Sequence, residues 1–364
     1  MAPLVSNHPF KAIYTLAFIV ITPPYLVALS LLYTFKRHRL VRSWSLKKAI
    51  GNEFFRLFFS YASYIRLKPS YANASKLRDR YVLVRPGAHK LYTSILEHSK
   101  IKPTSMPAIW LPTLLSDPAT ARVVIHFQGG AFVLASDPVQ TGTPPAKIFK
   151  EELGATTFYA QYRLARDDES RFPAAIQDAV SFYQHVLDQG VRPENILISG
   201  DSAGGSVAIG LIRYVESTKI LPSPRGVMLW SPWVDVSDTA IAQHSKNKNL
   251  RIDFLGLGLL KWGVEAYEPA SGDRTEETDH YLRPVAHPFR SYTPIFVNAG
   301  SVELLHDEIS LFVEKMRGVR GNEVCFVETA DAMHDVLLCG GVVGFENEVK
   351  VAVKEAGAFF RLAE

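Results

Sequence analysis

Apolar and polar positions along the chain fall into three regimes. Ala12–Phe35 carries no charged residue, and as a helix this stretch reaches ~36 Å at ~1.5 Å per residue, enough for a hydrocarbon core of ~30 Å. Pro23-Pro24 near its centre predicts a kink, or else a turn that brings the chain back as a monotopic hairpin. A buried helix of a soluble cap is the third alternative. Ser45–Leu67 then mixes charges with Phe54, Phe55, Leu57, Phe58, Phe59, Tyr61 and Ile65, which predicts amphipathic helices lying on lipid or capping a site. From about Tyr81, short apolar runs alternate with helical patterns. The runs predict strands near Tyr81–Arg85, Ala108–Leu111, Arg122–Phe127, Thr156–Tyr162, Asn195–Ser199, Gly226–Trp230, Pro294–Ala299 and Glu323–Glu328. Helices are expected over Pro144–Leu153, Ala174–Gln189, Ala203–Ser217, Asp307–Arg317 and Phe345–Leu362. Buried strands alternating with helices predict an α/β fold with a mostly parallel, doubly wound sheet. Mixed helical and polar segments from about Ser237 to Arg290 break the alternation and read as a cap insertion. The expected organisation is an N-terminal membrane anchor over 1–40, amphipathic cap or linker helices over 41–80, and a main domain over 81–364 with its insertion at about 237–290.

One strand-to-helix junction stands out. The run Asn195–Ser199 leads into Gly200-Asp201-Ser202-Ala203-Gly204, and Val207, Ala208, Leu211, Ile212 and Val215 follow at helical spacing. Strand, G-x-S-x-G, helix is the context of a nucleophile elbow. The turn holds its serine in strained backbone geometry, so the positions two residues either side must be nearly free of side chain; Gly200 and Gly204 meet that need. A glycine-rich turn with an idle serine is the bland alternative.

A serine hydroxyl becomes a useful nucleophile only when a histidine takes its proton and a carboxylate orients that histidine. In such a frame the acid and then the base follow the serine, on loops after later strands. His334 is the only histidine after the last predicted strand and is the expected base; His306 shares the acid's loop and breaks the order. Glu303 sits where the loop leaves the strand ending at Gly300 and is the expected acid. Asp307 reads as an N-cap of the next helix, and Asp335 adjoins His334 too closely in sequence to face it. The turn Gln128-Gly129-Gly130-Ala131 after the Val124–Phe127 run supplies small residues for an oxyanion hole, with the amides of Gly130, Ala131 and Ala203 as donors.

Composition adds location more than chemistry. A net charge of +4 over 364 residues does not point to nucleic acid. Much of the excess lies in Lys36, Arg37, His38, Arg39, Arg42, Lys47 and Lys48, beside the apolar N-terminal stretch, so a bilayer is the expected partner. The positive-inside rule then puts the rest of the chain in the cytosol, with the endoplasmic reticulum as the expected membrane. Asn73-Ala74-Ser75 is a glycosylation sequon that matters only if this part is lumenal. Two cysteines make no disulfide framework; Cys325 reads as core and Cys339 as indifferent. Trp110, Trp230, Trp233, Trp262 and the aromatics of 45–67 suggest a bulky apolar substrate.

The set Ile125–Ser136, Tyr162-Arg163-Leu164-Ala165, Phe172-Pro173-Ala174-Ala175 with Asp178, Gly200–Gly205 and Ser231-Pro232-Trp233-Val234-Asp235 resembles the hormone-sensitive-lipase-like α/β-hydrolases. It is most similar to membrane-associated fungal members found in secondary-metabolite pathways, over roughly Ala108 to the C-terminus. The resemblance implies an α/β-hydrolase fold with a helical cap, no cofactor or metal, ester hydrolysis, and Ser202, Glu303 and His334 as nucleophile, acid and base. Glu stands where the family more often has Asp, and Gln128-Gly129-Gly130-Ala131 replaces its His-Gly-Gly-Gly. The expected function is cleavage of a hydrophobic carboxylic ester through an acyl-enzyme. Acyl transfer or cyclisation from the same acyl-enzyme is one alternative, and a non-catalytic ligand-binding protein is another.

Overall fold

The computed structural model describes residues 3–115 and 117–362. Its eight strands are β1 (Tyr81–Val84), β2 (Met106–Leu111), β3 (Val123–Phe127), β4 (Thr156–Ala160), β5 (Ile196–Asp201), β6 (Gly226–Trp230), β7 (Ile295–Gly300) and β8 (Val324–Thr329). They form one sheet in the order β1-β2-β4-β3-β5-β6-β7-β8. β1–β2 and β2–β4 pair antiparallel, and every later pair is parallel. Each strand expected from the apolar runs is present. The central strands β3 and β5 are buried along their whole length, as a parallel strand covered on both faces must be. Successive side chains show the two faces directly. The His126 ring meets Phe149 of α3 (Pro138–Leu153), whereas that of Phe127 meets Phe182 of α4 (Ala174–Asp188).

The remaining helices of seven residues or more are α1 (Phe10–Tyr33), α2 (Leu46–Tyr64), α5 (Ala203–Thr218), α6 (Asp238–His244), α7 (Leu257–Tyr267), α8 (Glu276–Leu282), α9 (His306–Gly318), α10 (Val336–Val343) and α11 (Glu346–Phe359). Two differ from the pattern reading. α3 starts earlier than Pro144, because the Asp137 carboxylate accepts from the amides of Val139 and Gln140 and caps a start at Pro138. α10 is a separate element in front of the last helix, started by Asp335, whose side chain accepts from the Leu338 amide. α6, α7 and α8 all lie between β6 and β7, in the segment that breaks the alternation.

α1 is one continuous helix with Pro23 and Pro24 inside it. The hairpin alternative is not what forms: no Gly, Asn or Asp follows the pair to reverse the chain. α1 is long and apolar enough to cross a membrane, and its most apolar window is not buried. It touches the body through α2, where Phe18 stacks on Tyr61 with ring centroids 4.3 Å apart and the hydroxyls of Thr15 and Tyr61 lie 3.0 Å apart. The link between the two helices is fastened too. Trp44, 1% exposed, donates its indole N–H to the Asp331 carbonyl at 2.6 Å, and Ser43 donates to the Asp331 carboxylate. Deeper in, the buried Asp178 takes a 2.8 Å ion pair and backbone N–H from Arg163, pinning the chain that leaves β4.

Candidate active site

Ser202 sits between β5 and α5 with φ 50° and ψ −117°. That is the strained turn expected of an elbow, held because its surroundings over-determine it. The Ser202 amide donates to Trp230 O at 2.9 Å, and the Ser202 carbonyl accepts from Trp233 at 2.9 Å. A Cβ on Gly204 would collide with the Phe127 carbonyl, and one on Gly200 with the Gly204 carbonyl. Both positions therefore exclude any larger residue.

Ser202 borders one cavity together with Gln128, Gly129, Gly130, Ala131, Asp201, His334 and Asp335. Its apolar wall comes from Phe59 of α2 and from Phe254, Leu255, Leu259 and Leu260 of the segment between β6 and β7. None of the tryptophans lines it: Trp110, Trp230 and Trp233 are buried among core residues, and Trp262 lies beneath the guanidinium groups of Arg66 and Arg166. The apolar wall is Phe and Leu, contrary to the tryptophan reading.

Glu303 and His334, the expected acid and base, lie side by side. Both are buried, and Glu303 Oε1 lies 3.6 Å from His334 Nδ1, ion-pair distance but longer than a hydrogen bond. Neither of these two atoms has a hydrogen-bond partner among the described residues. The other oxygen, Oε2, is held firmly: it accepts from Ser231 Oγ at 2.6 Å and from the Gly300 amide at 2.8 Å. Burial pushes the His334 imidazole down, but Glu303, then Asp253 and Asp201, pull it up and leave it above its ordinary value. The other candidates lie elsewhere. Asp307 is exposed, in the first turn of α9 after its start at His306, so it is not the cap. His306 pairs with Glu328 at 2.6 Å.

The turn after β3 departs from the left-handed taboo for side chains at Ala131 (φ 52°), after Gly130 at φ 111°. The amides of Gly130, Ala131 and Ala203 carry no hydrogen bond among the described residues, so three donors remain free beside Ser202. Gln128 does little of the holding: its Oε1 accepts from Tyr159 at 3.4 Å, while its Nε2 has no partner among the described residues. Asp201 holds the turn instead. It accepts from the Gly129 amide at 2.8 Å and pairs with His126 Nε2 at 3.0 Å. Burial raises the Asp201 carboxyl, yet His126, then Asp335 and the Gly129 amide, outweigh it and leave it below the usual range. Asp335 is pushed well above that range by burial and by Asp201. Pattern reading named Asp201, Asp335 and Ser231 but not the contacts that join Asp201 to His126 and Ser231 to Glu303, and it missed Asp253. Cys339 is buried too, its thiol donating to the His334 carbonyl, while Cys325 on β8 is only partly covered. Asn73 is exposed and accepts from Ser75.

Residues 124–338 match the α/β-hydrolase fold family. The chain is 30% identical over 243 residues to an acetyl-hydrolase of Streptomyces hygroscopicus, covering 66% of this chain and 76% of that one. It is 27% identical over 217 residues to an esterase of Acinetobacter venetianus, covering 59% and 68%. Hormone-sensitive lipase of Mus musculus is 30% identical over 168 residues, but these are 45% of this chain and 21% of the lipase. A crystal structure of a hormone-sensitive lipase from a metagenome library superposes with a TM-score of 0.59 at 22% identity, covering 85% of this chain and 97% of the other. With its sheet order, its elbow and these relatives in agreement, the chain belongs to the α/β-hydrolase fold family.

Proposed function

We propose that this protein is a membrane-anchored serine esterase that cleaves a carboxylic ester of a hydrophobic small molecule. The observation that carries the reading is Ser202 on a strained elbow, sharing one cavity with a buried His334 that faces Glu303 at 3.6 Å. His334 takes the Ser202 proton as Oγ attacks the ester carbonyl, and the carbonyl oxygen becomes an oxyanion held by the amides of Gly130, Ala131 and Ala203. Collapse breaks the ester C–O bond, and His334 gives its proton to the departing alcohol. Water, deprotonated by the same histidine, then releases the acid and restores Ser202. Glu303 orients the imidazole and stabilises its cationic form. The names of the acetyl-hydrolase and esterase relatives support this class of reaction. The Phe and Leu wall supports an apolar acyl or alcohol group.

Anchoring rests on the exposed, apolar α1 and on the basic cluster Lys36, Arg37, Arg39 and Arg42 just after it. That cluster favours a cytosolic catalytic domain at the endoplasmic reticulum, which would leave Asn73 unmodified. A place in fungal secondary metabolism rests on the motif resemblance alone. The test is a fluorophosphonate probe with a panel of p-nitrophenyl esters on the wild-type chain and Ser202→Ala. Labelling and turnover that both vanish in the variant are the expected result. Labelling without turnover would move the assignment to acyl transfer or cyclisation, and no labelling of a folded chain would end the catalytic reading.

A further inference from the structure

Asp253 is 1% exposed and has no lysine or arginine partner among the described residues. A buried carboxylate without a cation is costly, so what it touches matters. Oδ2 accepts the Leu304 amide at 2.7 Å, and Oδ1 accepts the His334 amide at 3.1 Å. One carboxylate thus holds the backbone next to Glu303 and the backbone of His334, although these lie on two loops that follow different strands. Its neighbours in sequence reinforce the same point. Asn249 donates to the Glu303 carbonyl at 3.0 Å, and the Phe254 ring lies 5.9 Å from the His334 ring.

The segment carrying Asp253 is itself braced from outside. Asn52 and Arg56 of α2 donate to the Ile252 carbonyl at 2.8 and 2.9 Å, and Phe59 of α2 stacks on Phe254. The pair that this arrangement orients is the one that has not closed: Glu303 Oε1 and His334 Nδ1 stand 3.6 Å apart with no other partners. A few tenths of an ångström in the backbone of either loop decides whether that contact becomes a hydrogen bond.

We propose that Asp253 is a positioning residue for the acid–base pair: by holding the amides of Leu304 and His334 on one carboxylate, it sets the distance from Glu303 to His334. The inference rests on the esterase reading above. Burial pushes the Asp253 carboxyl up to about 6, with His334 opposing and Glu303 adding to the rise. The charged groups around His334 are Glu303, Asp253 and Asp201. A negative charge at Asp253 therefore also favours the imidazolium.

The experiment measures kcat, KM and the pH profile of p-nitrophenyl butyrate hydrolysis by the full chain in detergent, for wild type, Asp253→Asn and Asn249→Ala, with thermal melting as the check of folding. In Asp253→Asn, kcat is expected to fall roughly 10- to 100-fold, the scale of a sub-ångström to ångström misplacement. KM should stay within about twofold, since substrate binding is untouched. The acid limb of kcat/KM should move to lower pH, because one negative charge beside His334 is gone while Glu303 remains. Asn249→Ala keeps that charge, so it should lower kcat less and leave the limb in place. A folded Asp253→Asn with wild-type kcat and limb overturns the proposal, as does a rise in KM at unchanged kcat, which would assign Asp253 to the cavity wall. If Asp253→Asn does not fold, Asn249→Ala decides: a kcat loss at constant KM supports the inference and wild-type kcat overturns it. A wild-type chain without Ser202-dependent turnover takes both readings down, whereas turnover that Asp253→Asn leaves unchanged removes only this one.

Discussion

Two buried carboxylates stand beside the candidate residues, Asp201 next to Ser202 in the chain and Glu303 facing His334, and they are used differently. Asp201 has both oxygens occupied, one by His126 and one by the Gly129 amide, and the chain of bonds continues from His126 Nδ1 to Ser199 Oγ at 3.0 Å. Glu303 has one oxygen fixed by Ser231 and Gly300 and leaves the other free, aimed at His334. A saturated carboxylate has no capacity to respond when charge appears nearby, so it serves as scaffold; a half-saturated one gains a partner when the imidazole becomes cationic. Both carboxylates are buried and each accepts two bonds; the difference lies in whether those bonds fall on both oxygens or on one. Scaffold and working group can thus be separated before any rate is measured.

The largest effect tests the serine itself. Ser202→Ala should remove probe labelling and lower ester turnover by on the order of 10⁴-fold or more, read as initial rates. Next comes the half-saturated acid. Glu303→Gln keeps the shape but loses the charge, so kcat should fall by roughly 10²–10⁴-fold. Its pH profile carries a sign. The imidazole of His334 is held above 6.5 chiefly by Glu303 against burial, and the base works only when neutral. Wild-type kcat/KM should therefore fall as pH drops through a value above 6.5, and Glu303→Gln should move that fall to lower pH. A limb that stays put would mean that Glu303 does not face the base in solution.

The saturated acid should fail in another way. Asp201→Asn takes the carboxylate acceptor away from His126 Nε2 in the core, so unfolding in urea should show a loss of about 2 kcal/mol. If stability holds while kcat alone collapses, the scaffold role is wrong and Asp201 belongs with the working groups. The smallest effect is at the turn that Asp201 supports. Ala131→Gly relieves a side chain at φ 52° and should change stability by up to about 1 kcal/mol, with kcat within about threefold. A large gain in kcat would instead mean that Ala131 distorts the amide array beside Ser202.

How much of this was legible beforehand follows from sequence distance. The strands were readable because runs such as Val123–Phe127 and Ile196–Ser199 are apolar, short and bounded by turns. The elbow was readable because all its parts lie within five residues, Gly200 to Gly204. Glu303 and His334 could be singled out because topology fixes which loops would carry a nucleophile's acid and base. Asp253 could not: it meets Leu304 and His334 across 51 and 81 residues, and no local pattern marks an aspartate that accepts amides. The tryptophans misled for a related reason, since bulk and apolarity suit a core as well as a cavity. The earlier start of α3 was readable in principle from Asp137-Pro138, but Pro144-Pro145 competed as a start signal.

The fastening of Trp44 and Ser43 to Asp331 has a mechanical side. A domain on a slack tether samples every tilt above a bilayer and meets esters from either the aqueous phase or the lipid. Here the segment leaving α1 is bolted to the loop that runs into His334, and α2 is bolted to α1 through Tyr61. In the membrane-anchored arrangement proposed above, an upright α1 would carry the cavity at one height and one angle, like a tool on a fixed mount. In that arrangement, which molecules reach Ser202 would be set by where the mount points, before the cavity wall makes any selection of its own.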